Sequence, residues 1–128
     1  MTELELQAQV ADYIRLKYPS ALFHSDFGSG IKLTMGQAVK QKRLQGGRRS
    51  WPDMFIAEVR SREDKYYHGL FIELKKEGTR LFKKNGDFAS DHIKEQWETL
   101  GALTLRGYKA EFACGFDEAK EIIDEYLA

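Results

Sequence analysis

The stretch YHGLFIELK, residues 67–75, is the most informative short segment of the chain. Apolar side chains of core type surround the charged residues Glu73 and Lys75. Because side chains alternate between the two faces of a strand, Glu73 and Lys75 share one face and Leu74 points to the other. Charged residues inside so apolar a strand need a reason. The stretch therefore predicts a buried strand with a carboxylate and an ammonium on one face.

The preceding strand-like run is DMFIAEV, residues 53–59, which starts with Asp53 directly after a proline. The charged turn RSREDKY joins it to residues 67–75, and we expect the two runs to form a hairpin. A neighbouring strand that starts at Asp53 can bring a third polar group to the face of Glu73 and Lys75. Two carboxylates and an ammonium would then converge at one end of a sheet.

The rest of the chain alternates between helical and strand patterns in the order α-β-β-β-α-β-α, which predicts an α/β fold. Residues 28–50 form a long polar segment, and loops of that length are more often functional than accidental. The further predicted elements are helices at 3–18, 91–106 and 116–128, strands at 21–28 and 108–114, and a short helix around 37–44.

The bulk composition describes an ordinary soluble chain of 128 residues with zero net charge. The length favours a single domain over residues 1–128. One cysteine, Cys114, excludes an internal disulfide, and no Cys/His cluster suggests zinc. No apolar run approaches the ~20 residues of a membrane span, and the charged N-terminal segment does not fit a signal peptide. We expect a cytoplasmic protein without a membrane segment.

The zero net charge hides a strong asymmetry along the chain. No acidic residue occurs from Phe27 to Pro52, whereas the stretch from Glu111 onward is acidic. A basic segment directly before Asp53 can guide a phosphate backbone, and its charges make it a candidate DNA-binding surface. A solvated loop is the alternative. The positive residues of this segment are Lys32, Lys40, Lys42, Arg43, Arg48 and Arg49.

The convergence of Asp53 and Glu73 suits a hard divalent cation, which takes one or two carboxylates together with water and phosphate oxygens. Lys75 could orient a water molecule or balance charge in a transition state. The plainer interpretation is a solvated strand face with a cross-strand ion pair. The residues alone leave both interpretations open.

Pro52-Asp53 followed by Glu73-Leu74-Lys75 on the next strand resembles the PD-(D/E)XK nuclease signature. GSGIKLTMGQAVKQKRLQGGRRSWPDMFIAE, YHGLFIELKKEG and HIKEQWETLGALTLRGYKAEFACGFDEAKEIIDEYL together resemble the VRR-NUC branch over nearly the whole chain. That branch includes stand-alone phage proteins. The resemblance implies a restriction-endonuclease-like core, in which helices flank a central mixed four-stranded sheet.

The resemblance also implies an activity. It predicts a Mg²⁺- or Mn²⁺-dependent endonuclease that hydrolyses phosphodiester bonds in branched, flap or four-way junction DNA. Some stand-alone members are similar to Holliday junction resolvases and act as homodimers, so a homodimer is expected here. By the same resemblance, Asp53 and Glu73 become metal ligands, the Leu74 carbonyl faces the metal, and Lys75 becomes a catalytic group.

Two further positions follow from the family pattern. Gln96 falls where the family carries a glutamine on the helix after the catalytic strands, and a buried glutamine bonded to backbone is the alternative. The family also has an acidic residue in its first helix. We prefer Glu3, which extends the apolar stripe of that helix, over Glu5, which fits a capping box. The chain departs from the family at Ser50, where a glycine is common.

A non-cleaving DNA-binding module on the same fold is the alternative function. It predicts DNA binding that EDTA hardly affects and no turnover with any metal. The intact set of Asp53, Glu73 and Lys75 favours the enzyme, because a pure binder has no need of all three. Trp51 and Trp97 could stack on bases, but the sequence favours core packing for both.

Overall fold

Four strands form the central sheet, and a computed structural model describes it within residues 1–26, 33–48 and 50–128. The sheet has the order β1-β2-β5-β6, with β5 and β6 parallel and the other pairs antiparallel. β3 and β4 form a separate two-stranded sheet. The elements are α1 (Glu3–Lys17), β1 (Phe23–Ser25), α2 (Met35–Leu44), β2 (Met54–Ile56), β3 (Arg60–Arg62), β4 (Lys65–Tyr67), β5 (Leu70–Lys75), α3 (Asp91–Thr104), β6 (Lys109–Cys114) and α4 (Phe116–Leu127).

One face of the sheet forms the main core. Its inward side chains pack against α1 and α4, because every second residue of β2 and β5 is apolar and buried. α1 contributes a stripe at helical spacing, and α4 contributes a second stripe that includes the fully buried Tyr126. The strand residues of this core are Met54, Ile56, Leu70, Ile72 and Leu74.

The opposite face, which we call the α3-side face, carries Phe55, Phe71, Glu73 and Lys75. Helix α3 packs on β6 at one side of this face. Ser90 caps α3 by accepting a hydrogen bond from the Ile93 N–H at 3.2 Å. The mixed four-stranded sheet with flanking helices confirms the predicted fold class.

The predicted hairpin is correct in its pairing but wrong in its length. β2 ends at Ile56 and β5 begins at Leu70, so both strands are shorter than predicted. The intervening residues form the β3–β4 hairpin, whose turn places Glu63 and Asp64 at φ values of 52° and 63°. The turn itself was predicted within RSREDKY, but the two short strands that flank it were not, because they carry no apolar alternation.

Helix α2 begins earlier than the predicted short helix. Thr34 and Gln37 form a reciprocal capping box, which starts the helix at Met35. The described part of β1 covers Phe23 to Ser25 of the predicted strand, and residues 27 and 28 lie outside the described residues. Among the residues that the structure describes, no helix is long and apolar enough to cross a membrane.

Helix α1 offers a matched test of this core. Ile14 is fully buried, whereas Leu16 in the same helix is 84% exposed. We expect Ile14→Ala to lower the free energy of unfolding by about 2–5 kcal/mol, because it leaves a cavity under the sheet. Leu16→Ala should change it by less than about 0.5 kcal/mol. Urea unfolding followed by circular dichroism measures both, and equal effects would contradict the packing described above.

Candidate functional site

The ladder between β2 and β5 brings two carboxylates together. Met54 pairs with Ile72, so Asp53, one residue before Met54, lies opposite Glu73, one residue after Ile72. Asp53 Oδ2 accepts a hydrogen bond from the Leu74 N–H at 2.7 Å, which fixes its carboxylate against β5. The carboxyl groups of Asp53 and Glu73 are within hydrogen-bonding reach of each other. The pair stands at the end of the sheet.

The surroundings of Glu73 favour the neutral form of its carboxyl group. Glu73 is 3% exposed, and this burial raises its pKa well above the ordinary value. The hydrogen bond and negative charge of Asp53 raise the pKa further, and the charge of Glu3 adds to them. The ammonium of Lys75 acts in the opposite direction but does not prevail. In the absence of a cation, the carboxyl group of Glu73 therefore releases its proton at a higher pH than an ordinary glutamate does.

Gln96 of α3 contacts this pair directly. Its Nε2 donates a hydrogen bond to Glu73 Oε1 at 2.7 Å, which links α3 to β5. The alternative of a glutamine bonded to backbone is therefore wrong. Gln96 Oε1 is buried and has no hydrogen-bond partner among the described residues. A buried acceptor without a partner costs about 1–3 kcal/mol, so it indicates a position for an additional bound group.

Lys75 lies on the α3-side face, two residues after Glu73. Its side chain is buried, with 7% of the residue exposed. Within the described part of the chain, its ammonium makes no hydrogen bond or ion pair, and its electrostatic partner is Glu73. Its Nζ is not among the fully buried side-chain atoms that lack a partner, so the ammonium reaches solvent although most of the residue is buried. An anionic group that enters the site can therefore contact the ammonium.

The first helix and the backbone of β5 complete the surroundings. The N–H and C=O of a strand residue point to the same edge, so the Leu74 carbonyl faces the side where Asp53 lies. Glu3 is half-buried, whereas Glu5 is exposed and accepts a hydrogen bond from the Thr2 N–H at 2.9 Å.

The described residues contain no group of three His, Cys, Asp or Glu side chains close enough to hold a metal ion. Glu3 therefore does not join Asp53 and Glu73 in one cluster, although its charge influences Glu73. Two carboxylates and a carbonyl remain as the donor set. All of these donors are hard oxygen atoms, and Mg²⁺ is commonly held by one or two carboxylates with water completing its coordination. The residues present fit such an ion.

Gln7 was missed by the sequence reasoning. It lies in the apolar stripe of α1 and is buried, and its Nε2 donates to Ser25 Oγ and to the Asp26 carbonyl, the latter at 2.8 Å. The Asp26 N–H in turn donates to the Asp53 carbonyl at 2.9 Å. Helix α1 therefore helps to fix the backbone that carries Asp53. A polar residue at an apolar position of the stripe was the available signal.

The basic segment contributes exposed charge beside α3. Lys40, Lys42 and Arg43 are exposed on α2, which buries none of its side chains. Arg48 is also exposed, and its Nη1 donates to Thr99 Oγ1 of α3 at 3.0 Å. The candidates Lys32 and Arg49 lie outside the described residues.

Ser50 connects the basic segment to the helix that carries Gln96. Its side chain is buried, and its Oγ donates to Glu95 Oε2 at 3.1 Å. This contact occurs where the family commonly has a glycine. Together with the Arg48–Thr99 hydrogen bond, it fixes the residues just before Asp53 against α3.

The sheet and the side chains at its end define a class of protein. A mixed sheet flanked by helices, with a carboxylate pair and a lysine at one end, is the restriction-endonuclease-like arrangement that the PD-(D/E)XK resemblance implied. A solved structure described as a VRR_NUC domain protein matches with a TM-score of 0.71 and 27% sequence identity, over 99% of this chain and 88% of that chain. This match confirms the VRR-NUC resemblance.

Two other comparisons add no relatives. A scan against protein-family models finds no match, and a search of curated proteins finds none either.

The raised pKa of Glu73 predicts a pH dependence of stability in metal-free protein. A carboxyl group whose pKa is higher in the folded state destabilises the fold as the pH rises from about 4.3, its ordinary value, through the folded pKa. Glu73→Gln should remove this loss, because an amide can donate to Asp53 and accept from Gln96 without carrying charge. Urea unfolding in EDTA between about pH 5 and pH 8 measures the slope.

Glu98→Gln is the matched control, because Glu98 is exposed on the same helix as Gln96. It should keep the wild-type slope. If Glu73→Gln also keeps that slope, the pKa of Glu73 is not raised in the folded protein.

Proposed function

We propose that this chain is a metal-dependent endonuclease that hydrolyses phosphodiester bonds in DNA. The observation that carries the proposal is the pairing of the half-buried Asp53 with the buried Glu73, beside the unpartnered amide oxygen of Gln96. The likeness to a VRR_NUC domain protein supports the proposal, because that name denotes a nuclease domain. Lys75 supplies the positive group that such chemistry needs beside the carboxylates.

Asp53, Glu73 and the Leu74 carbonyl are the groups that would hold Mg²⁺ or Mn²⁺. Their oxygen atoms suit a hard cation and leave positions for water and phosphate oxygens. When bound, such a cation lowers the pKa of a water molecule and neutralises charge that develops on a phosphate. Binding would also favour the ionised form of Glu73, since ligating carboxylates must be deprotonated.

The surrounding side chains position these ligands. Gln96 holds Glu73 in one orientation through its Nε2, as outer groups commonly do for metal-ligating carboxylates. The Leu74 N–H does the same for Asp53. Lys75 would orient the attacking water or stabilise negative charge on the phosphate, because its ammonium has no competing hydrogen bond among the described residues.

The route of DNA to this site follows the basic segment. Exposed cations on α2 can contact successive phosphates, and Arg48 and Ser50 fix the following residues against α3. We further propose that the substrate is structured DNA, such as a flap, a splayed end or a four-way junction. A homodimer would allow paired incision of the two strands of a junction.

Lys75 and its neighbour Lys76 offer a matched test of this proposal. Lys75 is buried at the site, whereas Lys76 is exposed. We expect Lys75→Ala to reduce cleavage by at least about 10²–10³-fold, because a positioned charge acts mainly in the transition state. Lys76→Ala should retain nearly full activity. Gel analysis of duplex, flap, splayed and four-way substrates with Mg²⁺, Mn²⁺ or EDTA measures this effect.

Cleavage should disappear in EDTA and return with either cation. Full activity of Lys75→Ala would refute the assignment of the site. DNA binding without turnover under every metal would instead support the non-cleaving module.

The exposed cations of α2 make a second prediction. Lys42→Ala should lower the slope of log affinity against log salt by about 0.9 for duplex DNA, because one released counterion is lost. Lys120→Ala is the control, since its ammonium pairs with Asp124 at 3.2 Å on α4. Fluorescence anisotropy across a salt series measures both slopes. An unchanged slope for Lys42→Ala would place the DNA elsewhere.

A further inference from the structure

A row of aromatic side chains adjoins the carboxylate pair on the α3-side face. Phe55 pairs with Phe71 across β2 and β5, and each lies two residues from a carboxylate of the pair on the same face. Their rings stack with centroids 4.4 Å apart and an interplanar angle of 24°. Trp51 and Tyr108 contact the Phe71 ring at centroid distances of 6.2 Å and 5.2 Å. We call Trp51, Phe55, Phe71 and Tyr108 the aromatic row.

The aromatic row is not part of the main core. The core lies on the opposite face of the sheet, and α3 packs on β6. Trp51 is 39% exposed, and Phe55 and Phe71 are half-buried. His24, which pairs with Phe55 on β1, is exposed beside them. Large apolar surface is therefore left open next to the candidate site.

The predicted core packing of Trp51 is therefore wrong. Its Nε1 donates to the Gln45 carbonyl at the end of α2, which holds the indole at the surface beside Phe71. Gly69 has a related role, because a Cβ there would lie 2.6 Å from the Phe55 ring. The rings are thus held in place by specific local contacts. Trp97 is also partly exposed, at 46%, so core packing is wrong for it as well.

We propose that the aromatic row is a stacking platform for the unpaired bases of a single-stranded DNA segment. The inference rests on the proposed function and specifies its substrate, since the bases would belong to nucleotides beside the phosphate at Asp53 and Glu73. Two residues along a strand span about 7 Å, a distance that a base can bridge from its own phosphate. Every base has a π face, so such a platform binds unpaired strands with little sequence preference.

The charge around the row favours a nucleic acid over a second copy of the chain. Trp51 is bonded to the end of α2, and α2 carries Lys40, Lys42 and Arg43 with no acidic residue. Aromatic faces beside a basic strip are the combination that single-strand binding requires. The cations of α2 attract a polyanion, and they would repel the same cations on a second copy of the chain.

Phe71→Leu tests the platform, because it keeps an apolar side chain of similar reach and removes the π face. Anisotropy of a labelled single-stranded oligothymidine in EDTA measures binding without cleavage. We expect the affinity of the variant to fall by about tenfold to a hundredfold, the loss typical of one stacked base. Affinity for duplex DNA of the same length should change by less than about twofold. The salt slope should stay unchanged, because no charge is altered.

Two further variants distinguish a loss of base stacking from a folding defect. Trp51→Leu changes a side chain that is already 39% exposed and should show the same selective loss. Phe82→Leu is the control, because Phe82 is also 39% exposed but contacts Phe88 and Trp97 in place of the aromatic row. It should bind oligothymidine as the wild type does.

Three results would overturn the platform. The first is that the wild type does not bind oligothymidine, and the second is that Phe71→Leu loses as much affinity for duplex DNA as for single-stranded DNA. The third is that Phe71→Leu dissociates a dimer in sedimentation, because a second copy of the chain would then cover the row. Selective loss in EDTA supports the platform even if no metal yields cleavage. That combination would refute the nuclease proposal alone, so the two failures are distinguishable.

Discussion

The antiparallel pairing of β2 with β5 is the constraint on which the site depends. It sets Asp53 opposite Glu73, and buried apolar residues on the other face hold that register. A slip of one residue would turn every side chain of the strand to the opposite face. Met54 and Ile72 would then leave the core, which makes the slip costly. The carboxylate pair is therefore maintained by hydrophobic packing on the reverse of the sheet.

The Asp53–Glu73 pair itself lowers the stability of the fold. Burial raises the pKa of Glu73, and the Gln96 amide and the Lys75 ammonium compensate only in part. A pair of apolar side chains at these two positions would make the fold more stable. A local arrangement that the fold does not need, held by dedicated hydrogen bonds from Gln96 and the Leu74 N–H, is typical of a functional site.

Local rules predicted most of the framework. Helical spacing and capping residues located α1, α3 and α4, and strand alternation placed Glu73 and Lys75 on one face. The partner of Gln96 could not be predicted, because the bond to Glu73 joins two elements whose docking only the tertiary fold determines. The charged turn was predicted, but the β3 and β4 strands on either side of it were not, because their residues are polar or exposed and show no apolar alternation.

The exposure of large aromatic side chains was the hardest feature to predict from the sequence. Large aromatic residues usually lie in cores, so the sequence favoured burial of Trp51. In the fold, the Gln45 carbonyl binds its indole N–H, and the ring stays on the α3-side face beside Phe71. The same face therefore presents, in order along β5, the aromatic ring of Phe71, the carboxyl group of Glu73 and the ammonium of Lys75. This order is compatible with a single strand that crosses the sheet end.

Binding of Mn²⁺ measured by isothermal titration calorimetry tests the central claim most directly. We expect wild-type protein to bind Mn²⁺ more weakly as the pH falls, because the raised pKa of Glu73 makes the proton compete with the cation for its carboxylate. Asp53→Asn and Glu73→Gln should each abolish the binding, and Glu98→Gln should not. Binding that survives Glu73→Gln would contradict the claim that the Asp53–Glu73 pair is the cation site.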